Sequence, residues 1–562
     1  MKGKVSAVLF MLLWFCAAGV AEEKKEKTDA PLTIEQRVDK LFEEWDNPAS
    51  PGAAVAVVRD GMVVYRKGFG SAQLEYGVPI TPSTVFHVAS VSKQFPAFAV
   101  SMLEREGKLS VDDDIRKHLP WVPDFGQKIT IRHLLNHTSG LRDQWELLIM
   151  AGWRMEDVIT QKDIIRLVKK QRELNFKPGE QYMYSNTGFT LLAEVVSKVS
   201  GKPFVQWVQE NIFVPLGMSS SHFHIDHQRI VKNRAYSYRQ DRERGLVKSI
   251  LSYANVGATS LFTTVEDMAN WMRNYSERRV GDETLVARMF QKGLLNSGKK
   301  INYGRGLGIG EYKGLKRISH GGADAGFRSS MVYFPQQRFG VVVLSNLAQF
   351  QAGTVAYKIV DLYLKDHLKE EGAAPKPKKP YKLSKKKLKV FSGQYWLAGL
   401  KLLRDIKLED DTLFYVRTSG YRSELVPISE SAFFMKDSPD AVVSFSDVNY
   451  QKTQTLTVVV ADDPATGRRV VPYTPSQEEL SEYAGRYLAP ELDVFYKLRA
   501  GEKGLIIDFK NASGEGFTPL IEDVFSYRGY STITFQRDQA GKPSGFTVDS
   551  GRIKNLKFVR MD

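Results

Sequence analysis

Apolar positions recur with two different periods along this chain, and the change of period divides it. Phe95, Phe98, Ala99, Met102 and Leu103 fall at i, i+3, i+4 and i+7, which predicts one buried face of a helix. Leu191, Leu192, Val195 and Val196 predict a second such face. Thr33-Ile34-Glu35 opens a further helix that reads on to Trp45. Residues 53–58 and 62–66 are instead β-rich and flank Asp60-Gly61, a pair that predicts a tight hairpin. Residues 328–334 and 339–344 repeat the hairpin pattern, and helical text follows from Gly353 to about Leu368. Hairpins at both ends with helices between predict an α/β (α+β) domain over residues 34–370, one mainly antiparallel sheet flanked by helices.

Beyond this domain the period stays at two. Residues 372–389 hold eight lysines, three prolines and no acid, which predicts a solvated linker over 371–389. Envelope contact through that basic stretch is the sharper alternative. An internal repeat follows. Phe391, Gly393, Tyr395, Leu413, Pro427 and Phe433 match Tyr483, Gly485, Tyr487, Leu505, Pro519 and Phe525 at an offset of 92. Phe445 and Leu456-Thr457-Val458 then match Phe535 and Phe546-Thr547-Val548 at an offset of 90. Residues 390–474 and 475–562 are therefore two copies of one β-rich unit. Each copy predicts a small antiparallel, lipocalin-like barrel, unless the two close one larger barrel together.

The amino terminus changes the picture of where the chain works. Lys2 and Lys4 precede an apolar run from Val5 to Phe15, and small residues end at Ala21. That predicts a secretory signal peptide over 1–21, followed by a charged lead-in over 22–33 and an extracytoplasmic (periplasmic or secreted) mature chain. The single cysteine, Cys16, falls inside the leader, which excludes disulfide and thiol chemistry from the mature chain. No later segment has the length of a membrane helix. The formal charge of +15 becomes +13 once the two leader lysines are gone, favouring anionic surfaces. No arginine-and-aromatic module points to nucleic acid.

Candidate chemistry centres on Ser90-Val91-Ser92-Lys93 at the head of the first apolar helix. A serine hydroxyl needs a neighbouring base to act as a nucleophile, and a lysine one turn on can reach it. Ser297-Lys300 and Ser384-Lys387 share the spacing but stand in a Gly/Lys turn and a lysine run. Pro96 withholds a hydrogen bond from the Ser92 carbonyl, so the helix either bends there or begins with a turn that is not regular α.

Four segments in order carry a family resemblance. They are Phe86-His87-Val88-Ala89-Ser90-Val91-Ser92-Lys93, Ile131-Arg132-His133-Leu134-Leu135-Asn136-His137-Thr138-Ser139-Gly140-Leu141, Tyr184-Ser185-Asn186 and His320-Gly321-Gly322. From about residue 34 to 368 the chain resembles the serine β-lactamase and penicillin-recognising hydrolases, in the class C and D-aminopeptidase-like branch. The resemblance implies a β-lactamase/transpeptidase-like fold and an acyl-Ser90 intermediate with no metal or cofactor. It implies Lys93 and Tyr184 as candidates for taking the Ser90 proton, His320 at the third catalytic position and Asn186 beside them. It also implies an oxyanion hole from the N–H groups of Ser90 and Ala323, with Gly321 and Gly322 letting substrate approach. In aminopeptidase-like relatives a β-domain loop enters the cleft and restricts the substrate. His320 stands where many relatives carry a lysine; a mostly neutral imidazole is a weaker carboxylate anchor.

The remaining candidates read as structural. Tyr253-Ala254-Asn255 repeats the Tyr-x-Asn spacing but resembles the family's Gly-rich turn. His222, His224 and His227 read as a surface loop rather than a metal cluster, and His133 and His137 lack the glutamate of a zinc protease helix. The function expected is an exported serine hydrolase of small peptides, D-residues included, or carboxylic esters. A penicillin-binding protein, DD-peptidase or weak β-lactamase, and a silent binder of envelope ligands, are the alternatives.

Overall fold

The computed structural model describes residues 31–369, 381–447, 454–460, 463–510 and 514–561. The expected signal peptide over 1–21 with Cys16, most of the expected lead-in, Glu370 and residues 371–380 of the linker lie outside the described residues. No helix among those described is long and apolar enough to cross a membrane.

The two hairpins read from the sequence become one sheet. Its six antiparallel strands run Gly308–Tyr312, Leu315–Asp324, Phe327–Phe334, Phe339–Ser345, Ala53–Arg59 and Met62–Phe69, in that spatial order. Asp60 and Gly61 both adopt positive φ (50° and 79°), as the tight turn between the last two strands requires. Ala53 pairs with Ser345, so segments from the two ends of the domain lie side by side at its centre. Alternation assigns the two faces of Ala53–Arg59. Val55 and Val57 pack with Val38 and Ile359 under the helices Ile34–Lys40 and Ala352–Tyr363. Ala54, Ala56 and Val58 face the opposite layer, which contains the helices Gln94–Arg105 and Val265–Glu277. Burial on both faces explains why that strand reads as a continuous apolar run.

The repeat forms two closed eight-stranded barrels, not one larger one. Their strands run from Gly393–Leu397 to Asp463–Val470 and from Gly485–Ala489 to Ile553–Arg560. Repeat-related side chains make the same bond: Tyr395 Oη donates to the Phe391 carbonyl at 2.8 Å, and Tyr487 Oη to the Tyr483 carbonyl at 2.9 Å. The linker reads too long in the sequence. Lys385–Phe391 is a helix capped by Ser384, and its Leu388 and Phe391 are buried in the first barrel's core. Four lysines among the seven positions 383–389 mask Leu388 and Phe391, two apolar residues at i, i+3 spacing, which suffice to dock one short helix. Gln477–Glu482 repeats the device on the second barrel through Leu480.

Candidate active site

The chain reaches Ser90 through a tight turn. Ala89 adopts φ +48°, a left-handed conformation that non-glycine residues rarely hold and that marks stored strain. Its N–H donates to His87 Nδ1 at 3.2 Å, and the Leu261 N–H donates to Ser92 Oγ at 3.1 Å, fixing both sides of the turn. Ala89–Lys93 is 3₁₀, and regular α-helix begins only at Gln94. Pro96 therefore sits in the first α-turn, where a missing N–H leaves no intrahelical bond unmade. The second of the two geometries allowed for Pro96 is the one adopted.

The 3₁₀ turn brings Lys93 Nζ to 3.1 Å from Ser90 Oγ. Lys93 is fully buried, and its nitrogen also donates to Asn186 Oδ1 (2.7 Å) and the Ala258 carbonyl (2.8 Å). Burial lowers its pKa to about 7, against the opposing pull of the Asp324 and Asp143 charges. Asn186 opens the helix Asn186–Ser200, and both its backbone N–H and its Nδ2 donate to Asp143 Oδ2, at 2.7 and 2.8 Å. Asp143 caps the helix Gln144–Met150 from a fully buried position.

Tyr184 reaches the same serine, with Lys93 Nζ 4.9 Å from its ring centroid. Burial pushes its phenol well above the usual value, with its hydrogen bond to Ser90 opposing that shift. The segment carrying it is held by His137, whose carbonyl accepts from the Met183 N–H and whose Nδ1 accepts from the Ser185 N–H. The His137 ring lies 4.1 Å from the Tyr184 ring. His133 instead accepts the Thr130 N–H in a capping box on Ile131–Leu135. Tyr253 of the second Tyr-x-Asn pair stacks on Trp145 at 4.7 Å and pairs with Ile159.

His320 lies in the strand Leu315–Asp324, its Nε2 3.0 Å from the Tyr303 hydroxyl and its Nδ1 2.7 Å from the Gly321 carbonyl. Burial, then the Lys93 charge, lowers its pKa to about 3, so the ring is neutral. Ser90, Tyr184, His320, Gly321 and Ala323 together line a cleft of about 470 Å³. Gly322 also lines the cleft, and it has a packing part besides. A Cβ there would meet the Val88 carbonyl and Ser329 Oγ, each at 2.3 Å, so this glycine lets the strand press against the turn before the nucleophile. A Cβ on Gly321 would meet only the Ser329 carbonyl, at 3.7 Å.

Sequence reasoning missed Asp143, Tyr303, Arg328 and Arg552. Arg328 lines the cleft, with its Nη1 donating to the Ala325 and Phe327 carbonyls. Arg552 belongs to the second barrel, yet its guanidinium lies 5.8 Å from the Tyr184 ring and 3.4 Å from Asp143 Oδ2. Asp143 was findable in principle, since it follows Gly140-Leu141 and precedes an apolar helix. No local signal marks Arg552. His222 and His224 are corrected as well. His222–Phe223 is a strand paired with Leu261–Phe262, and His224 is buried, so the segment is no surface loop.

The Beta-lactamase family model matches residues 34–364, more than half of the chain. The chain belongs to the beta-lactamase family. It is 31% identical to the D-aminopeptidase of Gluconobacter oxydans over 296 residues, 53% of this chain and 56% of that protein. It is 28% identical to penicillin-binding protein 4* of Bacillus subtilis over 425 residues, 71% of this chain and 91% of the relative. The chain thus spans about half the length of the D-aminopeptidase and most of the penicillin-binding protein. Among solved structures, the octameric penicillin-binding protein homologue of Pyrococcus abyssi matches at TM-score 0.54 and 25% identity, covering 77% of this chain and 99% of that one. The D-amino acid amidase of Ochrobactrum anthropi shares the fold at TM-score 0.51 and 21% identity, over 59% and 99%. The chain thus has the β-lactamase fold, and the relatives it matches include D-aminopeptidases and a penicillin-binding protein.

Proposed function

We propose that this β-lactamase-family protein is an exported hydrolase that acylates Ser90 and acts on small peptides or amides, D-residues included, or on carboxylic esters. The observation that carries this reading is Lys93 Nζ at 3.1 Å from Ser90 Oγ with a pKa lowered to about 7. As a neutral amine, Lys93 gives its two N–H bonds to Asn186 Oδ1 and the Ala258 carbonyl. Its lone pair then faces the Ser90 hydroxyl. Lys93 takes the Ser90 proton as Oγ bonds to the substrate carbonyl carbon, and the oxyanion is received by the N–H groups of Ser90 and Ala323. Collapse breaks the bond to the amine or alkoxide, which leaves with that proton. Water then attacks the acyl-serine and frees the acid. Tyr184, with its pKa pushed upward, stays protonated and donates to the reacting oxygen.

The neutral His320 supports substrates that do not depend on a cationic anchor at that position. The experiment is fluorophosphonate labelling beside turnover of a D-amino-acid anilide and a p-nitrophenyl ester. Ser90→Ala is expected to lose the mass adduct while retaining its fold; an unchanged adduct overturns the assignment. The acylation rate is expected to rise with pH through about 7, because the base works only once Lys93 has lost its proton. A rate that falls over that range removes Lys93 from the base role. A penicillin-type activity is the second reading, favoured by Arg328, a cation in the cleft where a lysine is missing. Arg328→Ala is expected to slow acylation by a fluorescent penicillin more than acylation by the ester if that reading holds.

A further inference from the structure

A second cavity, of about 430 Å³, lies at the mouth of the second barrel. It shares no lining residue with the catalytic cleft. Phe517, Ile533 and Val548 form its walls as buried side chains of barrel strands, and Met150 and Trp153 of the catalytic domain form its lid. Deeper in the barrel the space is filled: the Phe546 ring lies 5.2 Å from Phe535 and 5.0 Å from Tyr487. The lid is bonded in place, with Tyr496 Oη donating to the Met150 carbonyl at 2.8 Å and Lys510 Nζ to the Ala151 carbonyl at 2.7 Å.

Close-packed interiors leave few voids larger than a water molecule, whereas small-molecule sites measure ~300–1,000 Å³. Eight-stranded barrels are wide enough either to fill with side chains or to hold one small ligand. Here the inner half is filled and the outer half is open. The rim adds charge to this apolar interior. Arg154 and Arg528 both border the cavity and both are exposed. Each already has an acid partner, Asp157 and Glu515, in a partly exposed pair, so an incoming anionic head competes with that carboxylate for the guanidinium. The third charge, Glu146, is already taken: its Oε2 accepts the Arg552 N–H at 2.7 Å and its Oε1 accepts from Arg552 Nε at 3.1 Å.

We propose that the mouth of the second barrel binds a single-tailed amphiphile, its apolar chain inside the barrel and its anionic head between Arg154 and Arg528. The ligand class goes beyond the hydrolase reading and does not depend on it. Because Glu146 lines the cavity and holds Arg552, the ligand sits one hydrogen-bonded residue away from the group that faces Tyr184.

The test is calorimetric titration of the full chain with dodecanoate and with dodecanol, both below the concentrations at which they aggregate, followed in parallel by tryptophan fluorescence with Trp153→Phe as the reference among the eight tryptophans. Saturable one-to-one binding of dodecanoate is expected, together with a change in indole emission. The double variant Arg154→Ala with Arg528→Ala is expected to weaken dodecanoate about tenfold or more and to leave dodecanol within a factor of two. Ile533→Trp, which fills the cavity, is expected to weaken both, and its circular dichroism and cooperative urea unfolding report whether it has folded. Absence of saturable binding by either probe overturns the site. So does dodecanoate binding that the arginine double variant leaves unchanged, a result that does not rely on Ile533→Trp folding.

Discussion

The two barrels descend from one repeat and keep the same helix-capped, eight-stranded plan, yet they are joined to the molecule in opposite ways. The first has its own hydrophobic core, built from residues such as Phe391, Tyr395, Phe433 and Phe445. The second shares one continuous core with the catalytic domain, in which Tyr496, Phe509 and Phe558 belong with Phe95 and Leu191. The polar contacts follow the same division. Arg142 of the catalytic domain is fully buried and meets Glu491 at 2.9 and 3.0 Å, and also the carbonyl of Lys554 at 3.1 Å. The first barrel's Lys401 instead reaches Asp549 (2.6 Å) and Asn555 of the second barrel. A duplicated domain has thus been split between two mechanical roles, one copy fused to the enzyme and the other resting on its sister.

Removing the second barrel by ending the chain after residue 474 is expected to have the largest effect. It uncovers the shared core and takes Glu491 and the Lys554 carbonyl from Arg142 and Arg552 from Asp143, so soluble yield and Ser90 labelling should both be lost. A truncated chain that labels at the parent's rate would erase the distinction between the barrels. Next comes Arg142→Ala, which strands Glu491 in the interface. Breaking a buried pair of this kind costs ~3–5 kcal/mol, read as a shift of the urea midpoint. Arg552→Ala should fold but slow acylation about 10–100-fold, since small displacements of positioned groups cost that order. Equal rates for variant and parent would make Arg552 a docking residue alone. The smallest effect belongs to Lys401→Ala, a partly exposed pair worth ~1 kcal/mol or less, with turnover unchanged. A large loss of activity there would mean the first barrel also supports the cleft.

What the sequence revealed divides along the same line. Ser90 and Lys93 were legible because their chemistry is local: three positions and one turn decide whether they meet. The barrels were legible because a repeat displays itself twice, although Leu388 and Phe391 were hidden among lysines. Asp143 and Arg552 were not legible. Their contact depends on two domains docking, and no periodicity in either segment records the other. His224 escaped for a related reason, since burial under Phe262 is decided by strand pairing rather than by its polar neighbours. Gly322 was legible as a cleft residue, but its packing part was not. Only the packed turn beneath it shows that a side chain would strike the Val88 carbonyl.

The 406 positions between Glu146 and Arg552 also have a meaning in time. At ~5–20 residues per second, a ribosome needs roughly 20–80 s to travel between them. Through that interval the nucleophile's segment has been made, but the guanidinium that faces Asp143 has not. The contact between Asp143 and Arg552 is therefore made only after all those positions have been synthesised. A polypeptide interrupted midway carries the reactive serine without its finished surroundings. The surroundings of Ser90 thus mature only as the second barrel arrives, an order in time imposed by the contacts between the two domains.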